Sequence, residues 1–175
     1  MAKRITLELS DARFDKLSAL VRVSYPNACI LWIDQVENAT LEGDFENRKK
    51  ELDASGEKYT KMQLFHGTNS ALIDTICYTG FDPSKNVRSA YGYGTYFAKH
   101  ASYSRSYTNS DGDAISYMFI ADVLIGNMYH ESVPSKTSGP FRTRVDNVSN
   151  PSIFVVPYHD ATYPRFVLAF HKNAS

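Results

Sequence analysis

Cysteine is scarce here: the 175 residues hold two, Cys29 and Cys77. They lie far apart and match no zinc or redox spacing, which argues against a disulfide framework and leaves both expected as buried free thiols of a reducing compartment. Charge of one sign is also lacking, since 19 Lys and Arg face 19 Asp and Glu for a net charge of zero. A protein that grips a phosphate backbone carries a basic excess, so nucleic acid is not the expected partner. The short basic cluster Arg48-Lys49-Lys50 reads as a solvated helix face. The five histidines form no HxH or HExxH pattern, and no metal site is expected. The first eight residues lack the apolar core of a signal peptide, and no apolar run approaches membrane-spanning length. No membrane partner is expected, and the cytoplasm or nucleus is the expected location. Internal repeats and low-complexity segments are absent. At this length a chain buries about 70% of the surface its unfolded state exposes, enough for one core without metal or disulfide staples.

What is present is an alternation of strand and helix signals. Residues 5–9 alternate, Ser10 is placed to cap a helix carrying Phe14, Leu17, Leu20 and Val21 at helical spacing, and Pro26 marks a boundary. Residues 28–36 read as a strand, with Ile30, Trp32 and Asp34 on one face and Leu31, Ile33 and Gln35 on the other. A helix follows over about 41–52, then a polar loop over 53–58 that has too little sequence before it to be an interdomain linker. A strand runs from Met62 into His66, a helix from 70 to about 78, an irregular stretch from 80 to 91, a short strand over Tyr96-Phe97-Ala98 and a helix over 102–107. Residues 116–125 are a long, mostly apolar run suited to a buried strand. Residues 131–140, with two prolines, a glycine and three serines, read as a mobile surface loop. The last strands are 153–156 and 166–170, joined through 159–164 as a hairpin.

Two segments carry chemistry: Leu64-Phe65-His66-Gly67-Thr68 and Tyr91-Gly92-Tyr93-Gly94-Thr95-Tyr96-Phe97-Ala98. Ser104 comes eight residues after Tyr96 and Tyr107 three after that, one helical turn apart on one face. Such a set suits a flat, amide-bearing ring. Gly67 leaves its own N–H and C=O open to a carboxamide, Ser104 adds a hydroxyl, and tyrosine rings stack on a heterocycle such as nicotinamide. Taken singly, each piece has a plainer account: His66 as a structural histidine, and Gly92-Tyr93-Gly94 as a hairpin turn. A dinucleotide-binding GxGxxG is disfavoured because Phe97 stands where the third glycine belongs and no helix begins there.

In order and spacing, His66-Gly67-Thr68, the block from Gly92 to Ala98, Ala101-Ser102-Tyr103-Ser104, and the run from Val145 through Asn150-Pro151-Ser152-Ile153-Phe154-Val155-Val156 closely resemble the catalytic domain of the poly(ADP-ribose) polymerase (PARP) family. The likeness covers roughly residues 25–171 and is nearest to the mono-ADP-ribosylating branch. It implies an α+β ADP-ribosyltransferase fold, a split and mainly antiparallel sheet around an NAD cleft with flanking helices, in one domain over 1–175. NAD is the implied co-substrate, without a metal. The resemblance implies that His66 hydrogen-bonds the adenosine ribose, that Gly67 and Ser104 hold the nicotinamide carboxamide, and that Tyr107 stacks on the nicotinamide ring with Tyr96 closing the other side. Thr68 faces the adenosine half, and Ala98 belongs to the same NAD-contact set.

This chain departs from the polymer-forming members at the third catalytic position. Counting back from Tyr163-Pro164 through the expected hairpin places Ile153 where those members carry a glutamate. Isoleucine neither ionises nor accepts a hydrogen bond, so it cannot act as the base that activates a growing chain. Single-unit transfer to a protein acceptor, the chain itself included, is the expected activity. Arg165 stands where many relatives have glutamate after the proline and reads as a surface substitution on the hairpin. The family's regulatory helical domain is expected to be missing, because about sixty residues before His66 cannot hold it. Two other readings stay open: an inactive module that binds NAD or ADP-ribose, and an enzyme that modifies nucleic-acid phosphates.

Overall fold

The computed structural model describes residues 1–86, 90–130 and 140–172. Most of the expected loop over 131–140, and part of the irregular stretch over 80–91, lie outside the described residues. The chain runs β1 (Lys3–Thr6), α1 (Ala12–Arg22), β2 (Cys29–Glu37), α2 (Ala39–Ser55), β3 (Thr60–Gly67), a 3₁₀ turn leading into α3 (Ile73–Thr79), β4 (Thr95–Ala98), α4 (Ala101–Arg105), β5 (Ile115–Ile125), β6 (Asn127–Tyr129), β7 (Arg142–Val145), β8 (Ile153–Val156) and β9 (Thr162–His171). Helix starts follow local capping chemistry. The carboxylate of Asp11, not Ser10, accepts from the Arg13 N–H and caps α1. Asn38 does the same for α2, and Gly56 ends that helix at φ +71°.

The described strands form one sheet in the order β1-β2-β9-β5-β3-β4-β8-β7-β6. Pairing is antiparallel except between β6 and β7, so the fold is α+β with a mostly antiparallel sheet, as expected. The split is visible in the register: β3 and β5 share eight pairs, whereas β3 and β4 meet at one, Phe65 opposite Ala98. Strand β8 pairs with β4 and β7, not with β9, so the expected hairpin between the last two strands does not exist.

Strand β5 is buried on both faces, which explains its unbroken apolar run. Met118 and Ile120 join Leu17, Val21, Leu168 and Phe170 on one side. Phe119, Ala121 and Val123 join Phe45, Leu52, Ile73 and Val167 on the other. The register of β2 slips between Ile30 and Trp32, leaving Leu31 unpaired and breaking the simple alternation of faces. A second slip, between β5 and β9, accommodates Pro164. Beside it Arg165 donates from Nε to Asp122 Oδ2 at 2.9 Å and from Nη1 to Glu42 Oε1 at 2.7 Å. It is a partly buried ion-pair centre between β5 and α2, not a hairpin surface residue.

Two further expectations are corrected. Cys77 is buried, and burial pushes its thiol up to about 11, but Cys29 is exposed. Arg48 is not simply solvated: it reaches across to Asp160, with Nη2 2.8 Å from the carboxylate.

Candidate active site

Strands β3 and β4 part beyond the one pair they share, Phe65 opposite Ala98. Immediately after the Phe65–Ala98 pair, the imidazole of His66 spans the gap, its Nδ1 2.7 Å from the carbonyl oxygen of Tyr96. A carbonyl oxygen accepts, so Nδ1 carries the proton and Nε2 of the neutral ring keeps its lone pair. The ring packs edge-on to Phe81 at 5.0 Å and tilted against Phe97 at 5.6 Å. Burial among these rings pushes the imidazole pKa down, and the Tyr96 carbonyl only partly opposes it. His66 is thereby held neutral, with one nitrogen committed and the other an acceptor.

Gly67, the last residue of β3, lies against α4. A Cβ there would run into the carbonyl of Ser104, with Thr108 Cγ2 also close at 3.2 Å. The glycine is required by this close approach, since its backbone is not in the left-handed region. Ser104 is buried, and the described residues offer its hydroxyl no hydrogen bond. The Tyr107 N–H donates to the Ser104 carbonyl at 3.1 Å, carrying one more turn beyond α4. Tyr107 itself is 58% exposed, one turn on from the buried Ser104. Its ring lies 5.2 Å from that of Tyr103, and the two hydroxyls are 2.8 Å apart. Tyr103 belongs to the motif that carries the resemblance but has no role from it, although its i,i+4 spacing to Tyr107 is a usable signal for this contact.

Tyr96 sits in β4 with its side chain turned to the preceding tight turn. Its hydroxyl accepts from the Tyr91 N–H at 2.9 Å and donates to the Gly92 carbonyl at 3.0 Å. Gly92 and Gly94 have φ values of +86° and +142°, which makes glycine the natural choice at both. Ala98 and Ile153 are direct ladder partners, and so are Tyr96 and Val155. Ile153 and Ala98 are buried, as is Thr68. The sequence-picked residues therefore fall into three contacts: His66 with Tyr96, Gly67 with Ser104 and thence Tyr107, and Ala98 with Ile153.

A profile described as the poly(ADP-ribose) polymerase catalytic domain matches residues 14–140. Human protein mono-ADP-ribosyltransferase PARP12 is 31% identical over 184 residues, covering 98% of this chain and 26% of that protein. Human protein mono-ADP-ribosyltransferase PARP14 is 29% identical over 177 residues, covering 93% of this chain and 10% of that protein. The mouse protein mono-ADP-ribosyltransferase PARP11 is 28% identical over 198 residues, covering 95% of this chain and 60% of its own length. This chain thus spans less than two thirds of each. With a split antiparallel sheet, a histidine tied across the split and a profile match over most of its length, the chain belongs to the poly(ADP-ribose) polymerase catalytic-domain family.

Proposed function

We propose that this chain transfers one ADP-ribose unit from NAD to a protein acceptor, with release of nicotinamide. The observation that carries the reading is the contact between Gly67 and Ser104 beside the open Tyr107 ring. It combines strand backbone, the hydroxyl of a buried serine with no hydrogen bond among the described residues, and an aromatic face, the three surfaces a planar carboxamide ring needs. In this reading the Gly67 backbone and Ser104 Oγ hold the carboxamide, Tyr107 stacks on the ring, and Tyr96 walls the opposite side. His66 Nε2 accepts from a hydroxyl of the adenosine ribose, and Thr68 lies toward that half of NAD.

The chemistry follows from charge. The glycosidic electron pair leaves with nicotinamide, which departs as a neutral molecule. Positive charge grows on the ribose C1′ and ring oxygen, and the acceptor nucleophile then bonds to C1′. Holding nicotinamide and bending the ribose lowers the barrier through positioning. The buried Ile153 side chain supplies no base, so an acceptor that already bears a negative charge, such as a carboxylate, is the best suited. Incubation with labelled NAD, followed by intact mass of the protein and assay of free nicotinamide, tests the proposal. Single ADP-ribose increments are expected. Polymer ladders would refute the mono assignment, and saturable NAD binding without nicotinamide release would make the chain a binding module.

A further inference from the structure

Beyond the residues that face nicotinamide, a row of side chains crosses the smaller half of the sheet. Tyr129 on β6 pairs with Arg144 on β7, Arg144 with Val155 on β8, and Val155 with Tyr96 on β4. Residues directly opposite one another share a face, so Arg144 stands on the same side as Tyr96 with one strand, β8, between them. Its Nη1 donates to the Tyr91 carbonyl at 2.6 Å, and its guanidinium lies 5.4 Å from the Tyr129 ring centroid. The guanidinium also occupies the space above Gly92: a Cβ on that glycine would meet Nη1 and would come within 3.3 Å of Cζ. A Cβ on Gly94 would sit 2.7 Å from Val155 Cγ1. The turn between Tyr91 and Gly94 is therefore pressed onto the β7–β8 face, and the same turn receives both hydrogen bonds of the Tyr96 hydroxyl.

We infer that Arg144 is a positioning residue, which latches the 91–94 turn from the β7 side while Tyr96 latches it from β4. The two latches act on adjacent peptide groups. Arg144 fixes the Tyr91 carbonyl, and Tyr96 fixes the Tyr91 N–H and the Gly92 carbonyl. Because the Tyr96 ring is held through its own hydroxyl, loosening the turn also loosens the wall of the nicotinamide pocket. A charge-assisted bond from a residue paired into the sheet on both sides is a firm anchor for a glycine-rich turn that otherwise opens readily. The inference rests on the transferase reading for its effect on NAD, but the latch itself does not.

The test combines Arg144→Ala, Tyr96→Phe and the double variant. In Arg144→Ala the amides of residues 91–94 are expected to exchange faster while those of β3 and β5 stay protected. KM for NAD is expected to rise about 5- to 20-fold, with kcat within about threefold, around the lower end of the roughly 10- to 150-fold that one charge-assisted hydrogen bond is worth, because the latch acts on the pocket through the turn. Arg144→Lys, which keeps one donor, should recover part of the loss. In the Tyr96→Phe background, where the same turn is already released, Arg144→Ala should raise KM by less than about twofold, because linked contacts are not additive. Unchanged exchange over 91–94 overturns the latch. An undiminished KM effect in the Tyr96→Phe background, or equal losses in kcat and KM after both unlatchings, overturns its link to the pocket. If the wild-type chain cleaves no NAD, the transferase reading fails, and amide exchange still decides the latch.

Discussion

Nδ1 of His66 stands 2.7 Å from the carbonyl oxygen of Tyr96, and this side-chain contact closes the place where the two halves of the sheet have stopped pairing. The consequence is a histidine with one ring nitrogen committed to the backbone, leaving the other as the one proposed to meet NAD. Its neutral form suits both roles, and burial favours that form.

Acid should therefore weaken the protein through His66. Its pKa is lowered on folding, so between the folded value and the ordinary value of about 6.5 the unfolded chain binds more protons. Stability rises with pH through that window and falls as pH drops through it. Urea unfolding of the wild type and of His66→Gln from pH 8 to pH 5 measures this. The wild type should lose more stability on acidification than the variant. Parallel pH profiles would show that His66 does not titrate differently on folding.

Gly67→Ala should act as a displacement of α4. The new methyl meets a main-chain carbonyl, which cannot rotate away, so Ser104 and Tyr107 must shift. Overpacking of this kind costs about 1–3 kcal/mol. Thermal unfolding should show the loss, and titration calorimetry should show benzamide binding weakened at least about tenfold. Unchanged affinity would mean that Gly67 and Ser104 do not form the carboxamide site.

Much of this arrangement is legible in the sequence because its carriers are local. The apolar run of β5, the short β4 and the Ser104–Tyr107 spacing all declare themselves within a few residues. Strands β6 and β7 do not: Asn127-Met128-Tyr129 and Arg142-Thr143-Arg144-Val145 are short and polar, and only the strand beside them makes them strands. The Leu31 bulge depends on what β9 offers opposite it. The hairpin expectation failed because sequence neighbours β8 and β9 are separated in the sheet by four strand-to-strand steps. Arg165 has partners at Glu42 and Asp122, both too distant in sequence for any pattern to reveal.

Arg165→Ala should destabilise the fold without touching the cleft. Asp122 has a side chain 4% exposed and would keep Lys61 Nζ, at 3.5 Å, as its remaining ion-pair partner. Removing one partner of a buried pair costs about 3–5 kcal/mol, and Lys61 should hold the loss near the low end. Denaturant unfolding should report it, while benzamide affinity of the folded variant stays within about twofold. A stability change under about 0.5 kcal/mol would return Arg165 to the status of a surface residue.

Tyr107 and Ser104 should separate binding from stability. Tyr107 is largely exposed, so Tyr107→Ala should leave the unfolding midpoint nearly unchanged while weakening benzamide binding by about 1–3 kcal/mol, from lost stacking and buried area. Ser104→Ala removes one neutral hydrogen bond, about 0.5–1.5 kcal/mol. Calorimetry giving wild-type affinity in both variants would place the pocket elsewhere.

Ile153→Glu asks whether one residue sets product length. A carboxylate there can accept a charge-assisted hydrogen bond from a ribose hydroxyl, worth about 1.5–3 kcal/mol, or roughly 10- to 150-fold in rate where the geometry is right. The surroundings oppose it. Ile153 is 7% exposed, at the start of a strand buried along its length, so desolvation would raise the new group's pKa. The Asp146 carboxylate accepts from the Ile153 N–H at 3.0 Å. Burial raises the Asp146 pKa, but hydrogen bonds from Ser152 and Ile153 outweigh it and hold the carboxyl below its ordinary range, so a second carboxylate would meet a fixed like charge. NAD cleavage is therefore expected to change by less than about tenfold in either direction, with no polymer on a denaturing gel of the reaction. Ladders from this single substitution would show that the residue at 153 alone decides between one ADP-ribose unit and many.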